Sequence, residues 1–131
     1  MANIEFGYLY RDGGNYKKYG SVIFANPEDL GTDEISRLIH EELMPDGLFI
    51  AEQVRIPEVF LYSSGDFSQD DHCFHEFAGV RVTNGTTSDP QARSIGEFIT
   101  EINDREFIGW ETFDPYDSKG SYGWLLSHPM R

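Results

Sequence analysis

Cysteine occurs once in this chain, at Cys73, so no intrachain disulfide can form and the fold must hold by packing alone. That agrees better with a reducing cytosol than with secretion. The first residues, Met1 to Phe6, lack the basic stretch followed by an apolar one that marks an export signal. Long hydrophobic runs are also missing, since no segment approaches the ~18 apolar residues that a membrane span requires. A cytoplasmic protein with no membrane association is expected. Basic residues are scarce as well: 10 Lys and Arg face 23 Asp and Glu, a net charge of -13. Such a balance disfavours nucleic-acid binding, because Lys and Arg are needed to neutralise phosphates.

Aromatic side chains are plentiful, with 10 Phe, 7 Tyr and 2 Trp in 131 residues, which is enough to build a compact core within a single domain spanning 1–131. Ile4, Phe6, Tyr8 and Tyr10 alternate at the period of a strand. Asp12 to Asn15 marks a turn, and Tyr19 to Ala25 reads as the returning strand of a hairpin. Thr32, Asp33 and Glu34 open a helix with Thr32 near its cap, and Ile35, Leu38, Ile39 and Leu43 form its apolar stripe. Pro45 to Gly47 ends it. Leu48 to Ala51 and Glu58 to Tyr62 are short strand candidates, followed by a polar loop from Ser63 to Asp71.

The stretch His72 to Val82 looks extended. Its alternation places His72, Phe74, Glu76, Ala78, Val80 and Val82 on one side and Cys73, His75, Phe77, Gly79 and Arg81 on the other. Asn84-Gly85 signals a turn. Ser94 and Glu97 have capping-box spacing, at the head of a helix striped by Ile95, Phe98, Ile99 and Ile102. Asp114 to Asp117 reads as a turn, and Tyr122 to Leu126 as a last strand or packed tail. The expected fold is α+β, a mostly antiparallel sheet with two amphipathic helices packed on one face.

Reactive side chains concentrate between Gln69 and Phe77, where Asp70, Asp71, His72, Cys73, His75 and Glu76 crowd together. Thiolate, imidazole and carboxylate are the groups that bind transition metals or move protons near neutral pH. A divalent metal held by Asp71, His72, Cys73 and His75 is one reading, with His40 and His128 as further donors. No cofactor is required by any motif, however, and the ligand spacings of zinc sites are missing. Asp66 with Asp70 and Asp71 lacks the glycine and terminal Glu of a calcium loop. Catalysis by Cys73, His75 and Glu76 would make the chain a small hydrolase, although same-face neighbours on a strand lie nearly ~7 Å apart. The favoured reading is plainer: Cys73 and Phe77 pack in the core, and His75 is a hydrogen-bonded histidine.

Charge is unevenly spread. Seven acids and one arginine lie between Glu28 and Asp46, and seven acids and one arginine between Glu97 and Asp117. This asymmetry points to a small acidic protein of inhibitory or immunity type, which binds a protein with a basic surface and carries out no chemistry. Glu34, Glu41, Glu42, Asp46, Glu97, Glu101 and Asp104 are the candidate contacts. The hairpin is different, because Tyr8, Tyr10, Tyr16 and Tyr19 surround Arg11, Lys17 and Lys18, a second possible contact surface. A homodimer joined through a strand edge or through this hairpin is the third reading.

Overall fold

The structure, a computed structural model, describes residues 2–62 and 68–113. The expectations for Asp66, Asp114 to Asp117, Tyr122 to Leu126 and His128 lie outside the described residues. The hairpin forms as its periodicity predicts, with β1 (Asn3–Arg11) antiparallel to β2 (Lys17–Phe24). The first helix, α1 (Thr32–Glu42), is followed by the two-residue strand β3 (Leu48–Phe49), the long strand β4 (His75–Thr83) and the second helix, α2 (Ile95–Ile108). The four strands run in the order β2-β1-β4-β3, and every pairing is antiparallel. The fold is α+β, as the sequence pattern indicates. Among the described residues no helix is long and apolar enough to cross a membrane.

Both helices cover one face of the sheet. Ile35, Ile39 and Leu43 of α1 and Ile95, Phe98 and Ile102 of α2 join Ile4, Phe6, Tyr8, Val22 and Phe24 in one buried cluster. Phe98 stacks on Phe24 with centroids 4.5 Å apart, a contact worth ~0.5–1.5 kcal/mol beyond the area it buries. The predicted capping box closes the start of α2: the Ser94 hydroxyl accepts from the Glu97 N–H at 3.1 Å, and the Glu97 carboxylate accepts from the Ser94 N–H at 2.9 Å. The start of α1 differs from expectation. Thr32 is already helical, and the cap is Gly31, which has no side chain to offer. Instead Asn26 folds the preceding loop, accepting from the Leu30 N–H and donating to the Leu30 carbonyl, both at 3.0 Å.

Strand β4 departs from simple alternation. Gly7 pairs with Gly79 and Tyr8 with Phe77, so Ala78 is an extra residue, a bulge that Gly79 accommodates at φ +115°. The inward set therefore switches. Before the bulge His75 and Phe77 turn to the buried face; after it Val80, opposite Phe6, does so, while Val82, opposite Ile4, is on that side but largely exposed. The single face predicted for His72, Phe74, Glu76, Ala78, Val80 and Val82 is thus broken in the middle. The ladder also begins at His75 and not at His72.

The expected strand Glu58 to Tyr62 joins no ladder among the described residues. It lies across the sheet's inner face, close enough to β2 that a Cβ on Gly20 would meet Val59 Cγ1 at 2.8 Å. Side chains of β1 and β4 reach its backbone. The Tyr8 hydroxyl donates to the Pro57 carbonyl at 2.5 Å, and the Val59 N–H donates to His75 Nε2 at 2.9 Å. The hairpin tyrosines also divide. Tyr8 and Tyr10 turn inward and are buried, while Tyr16 and Tyr19 are 73% and 67% exposed, so the four do not form one surface.

The loop from residue 84 to Ser94 carries a buried ion pair. Arg93 donates to both oxygens of Asp89 at 2.8 Å, to the Val54 carbonyl at 2.8 Å and to the Arg55 carbonyl at 3.2 Å. Its guanidinium also lies 4.9 Å from the centre of the Phe98 ring and 3.1 Å from a Glu101 oxygen. Burial would raise the Asp89 pKa, but the hydrogen bonds and charge of Arg93 outweigh it and hold the carboxyl below its ordinary value. Arg93→Met should destabilise the protein by ~3–5 kcal/mol in urea unfolding, because it strands a buried carboxylate. Since the folded carboxyl has the lower pKa, this part of the stability is present above the ordinary carboxylate range and declines as pH falls below it.

Candidate functional site

The segment from Asp71 to Glu76 meets the hairpin and the Pro57 to Tyr62 crossing, and most of its polar atoms bond to those neighbours. Asp71 Oδ1 accepts from the Tyr10 hydroxyl at 2.6 Å, while its Oδ2 accepts from the Ser68 N–H at 2.9 Å. The Tyr10 oxygen in turn accepts from the His72 N–H at 3.2 Å. His72 Nδ1 accepts from the Phe74 N–H at 3.0 Å, so Nε2 carries the proton and donates to the Arg11 carbonyl at 2.6 Å. The Tyr62 hydroxyl donates to the His72 carbonyl at 2.9 Å. Glu76 projects from the outer face of the sheet and holds Arg11 across the ladder at 2.9 Å.

His75 sits apart from this group. It is fully buried, with its ring 4.7 Å from that of Phe60 and about 6 Å from those of Tyr8, Tyr10 and Phe49. Because Nε2 accepts from Val59, the proton belongs on Nδ1, which has no hydrogen-bond partner among the described residues. Burial, with a smaller contribution from His72, pushes the imidazole down to a pKa of about 3. Burial likewise raises the Tyr8 hydroxyl to about 12, helped by the nearby Glu58 carboxylate. The Tyr10 hydroxyl is raised by burial and by its bond to Asp71.

Cys73 is 1% exposed and borders a cavity of about 780 Å³ together with Gln69, Asp71, His72, Phe74, Thr112 and Phe113. His75 does not line that cavity. The thiol and the imidazole proposed for nucleophilic chemistry therefore do not open onto a shared space among the described residues. Nor does any group of three or more His, Cys, Asp and Glu side chains converge there as metal ligands would. His40, the other candidate donor, lies on α1 with its ring 5.0 Å from that of Phe77.

The acidic candidates fall into two kinds. Glu34, Asp46 and Asp104 are exposed, and exposed Glu41 makes an i,i+4 ion pair with Arg37 at 3.0 Å. Glu42 is half-buried. Glu97 is occupied in the capping box, whereas Glu101 grips Arg55 through both oxygens, at 2.5 and 2.9 Å. The hydrogen bonds from Arg55 overcome partial burial and, with Arg93 beside them, hold the Glu101 carboxyl below its ordinary value. Sequence reasoning passed over Arg93, Asp89 and Arg55. The one available signal was the four-residue spacing of Asp89 and Arg93, and it fell in a stretch read as loop. Compared with known protein families, curated proteins and solved structures, the chain matches none of them.

The buried imidazole has a testable consequence. Between pH 6.5 and about 3 the unfolded chain takes up a proton that folded His75 refuses, so stability should fall with pH across that window. The contribution is ~1.4 kcal/mol per pH unit. His75→Gln keeps an acceptor near the Nε2 position and does not titrate. Urea unfolding at several pH values should show a shallower slope for that variant than for the wild type.

Proposed function

We propose that this protein acts by binding a protein with a basic surface, as an inhibitor or immunity-type partner, and that it performs no chemistry of its own. The observation that carries this reading is the exposure of carboxylates on and beside the two helices: Glu34 and Glu41 on α1, Asp46 just beyond it, and Asp104 on α2. Opposite charges accelerate encounter, and an acidic face repels the wrong partners. Glu97 and Glu101 lie on α2 as well, although their bonds within the fold leave them less to offer. The segment richest in reactive groups is meanwhile committed to hydrogen bonds that join β1, β4 and the crossing segment.

The test is capture from a lysate of the native source on immobilised protein, eluted with a salt gradient, beside the variant Glu34→Lys, Glu41→Lys, Glu42→Lys. The expected result is a specific partner that leaves at moderate salt and is missing from the variant column. The same proteins eluting from both columns would refute the acidic face. The hydrolase reading gains little from an arrangement in which His72 spends both ring nitrogens, and His75 its Nε2, on the backbone. It makes its own prediction, a thiol reactive in the native state. Cys73 should instead react with Ellman's reagent far more slowly in buffer than in urea, and an equal rate in both would restore the catalytic reading.

A further inference from the structure

Among the described residues the outer edge of β2 is covered only at its C-terminal end. At the C-terminal end of β2 the Ile23 N–H donates to the Ser88 hydroxyl and the Ile23 carbonyl accepts from the Ser88 N–H, both at 2.9 Å. A parallel bridge between Ala25 and Ser94 continues that contact, with the Ile95 N–H donating to the Ala25 carbonyl at 2.8 Å. The loop thus covers the C-terminal end of β2 at two points, at Ile23 and at Ala25, with the turn from Asp89 to Ala92 looping out between them. Backbone groups alternate in direction along a strand, so Lys17, Tyr19 and Ser21 turn theirs to the same side as Ile23. Among the described residues nothing pairs with those three. An open edge of this length is a template for an extended chain.

The side chains around the open half state what kind of chain fits. Lys17 and Lys18 are exposed, point to opposite faces of the sheet and form no ion pair among the described residues, in a molecule of net charge -13. Arg11, the nearest other cation, is already held by Glu76. Tyr19 shares the outer face with Lys17, and Tyr16 flanks the turn; both are largely exposed. A strand added here has one ammonium group above it, one below it and an aromatic ring beside it.

The geometry points to β2 from Lys17 to Ser21 as a docking edge for an extended acidic peptide segment, with neighbouring carboxylates reaching Lys17 and Lys18. Ser88 sets the limit of the site, because it already occupies Ile23. Lysines on an edge strand commonly serve to repel other strands. Here they repel a basic strand and favour an acidic one. This surface is the sheet edge, separate from the acidic helical layer, and it stands or falls independently of the role proposed for that layer.

The test uses the full chain labelled with nitrogen-15 and titrated with the acetylated, amidated peptide Val-Glu-Glu-Val-Glu-Val, beside the same peptide with Lys in place of Glu. The acidic peptide should shift the amide signals of Lys17, Tyr19 and Ser21 and slow their hydrogen exchange, and the lysine peptide should not. Lys17→Glu with Lys18→Glu should weaken binding about tenfold, as the loss of two exposed ion pairs allows. Ser21→Pro removes an outward N–H without touching the β1–β2 ladder, and it too should weaken binding while the remaining spectrum stays in place. Shifts confined to other residues, or full affinity in Ser21→Pro, would overturn the proposal. So would protection of the three amides that grows with protein concentration alone, since the occupant would then be a second copy of the chain.

Discussion

The guanidinium of Arg93 is the point on which the packing of sheet, turn and second helix depends. It satisfies two carbonyls at the end of the Ala51–Val54 turn, takes both oxygens of Asp89 and lies against Phe98, which itself stacks on Phe24 of β2. A buried ion pair is weak support for stability by comparison with a hydrophobic replacement, because desolvation consumes much of the attraction. What it supplies here is geometry. An apolar side chain could fill the space but could not hold two carbonyls, a carboxylate and a ring in fixed relation. Glu101 extends the network outward to Arg55, a residue held in the left-handed region at φ 60°. The strain at that residue is thus anchored by the network around it.

A second polar network does comparable work on the other side of the molecule. Tyr8, Tyr10 and Tyr62 each use a hydroxyl to fasten a stretch of backbone or a carboxylate, and His75 fastens Val59. The segment from Pro57 to Tyr62 joins no ladder among the described residues, and a buried unpaired amide costs as much as a lost hydrogen bond, so bonds from these side chains to its backbone matter. These aromatic side chains meet that need with a single polar atom each. The rest of every ring remains available for the core.

Helix positions, the capping box at Ser94 and the inward row Ile4, Phe6, Tyr8 and Tyr10 were legible because each rests on local periodicity or on a short motif. The face assignment of β4 was legible only as far as Phe77. A bulge is invisible to a pattern that assumes strict alternation, and Gly79 could have been any strand glycine. Glu58 to Tyr62 has the composition of a strand, but the bonds to its start come from residues distant in sequence, Tyr8 and His75, which no local pattern reveals. The same limit applies to the segment from Asp71 to Glu76. Its residue types announce chemistry, while the hydrogen bonds that occupy them come from Tyr10, Arg11 and Val59, which no local reading connects to them.

The strand order also shapes how the chain finds its fold. Strand β1 is flanked by β2, its immediate neighbour in sequence, and by β4, whose Thr83 pairs with Asn3 although β2, α1 and β3 lie between them in sequence. The hairpin can close over a five-residue turn at little entropic cost, whereas joining β1 to β4 requires closing a loop that contains α1 and most of the core. Long-range pairings of this kind raise contact order, which in general slows folding. Until β4 arrives, the inner strand of the hairpin has its own bare edge. In that interval the residues that later become the best protected are the ones most open to pairing with the wrong chain.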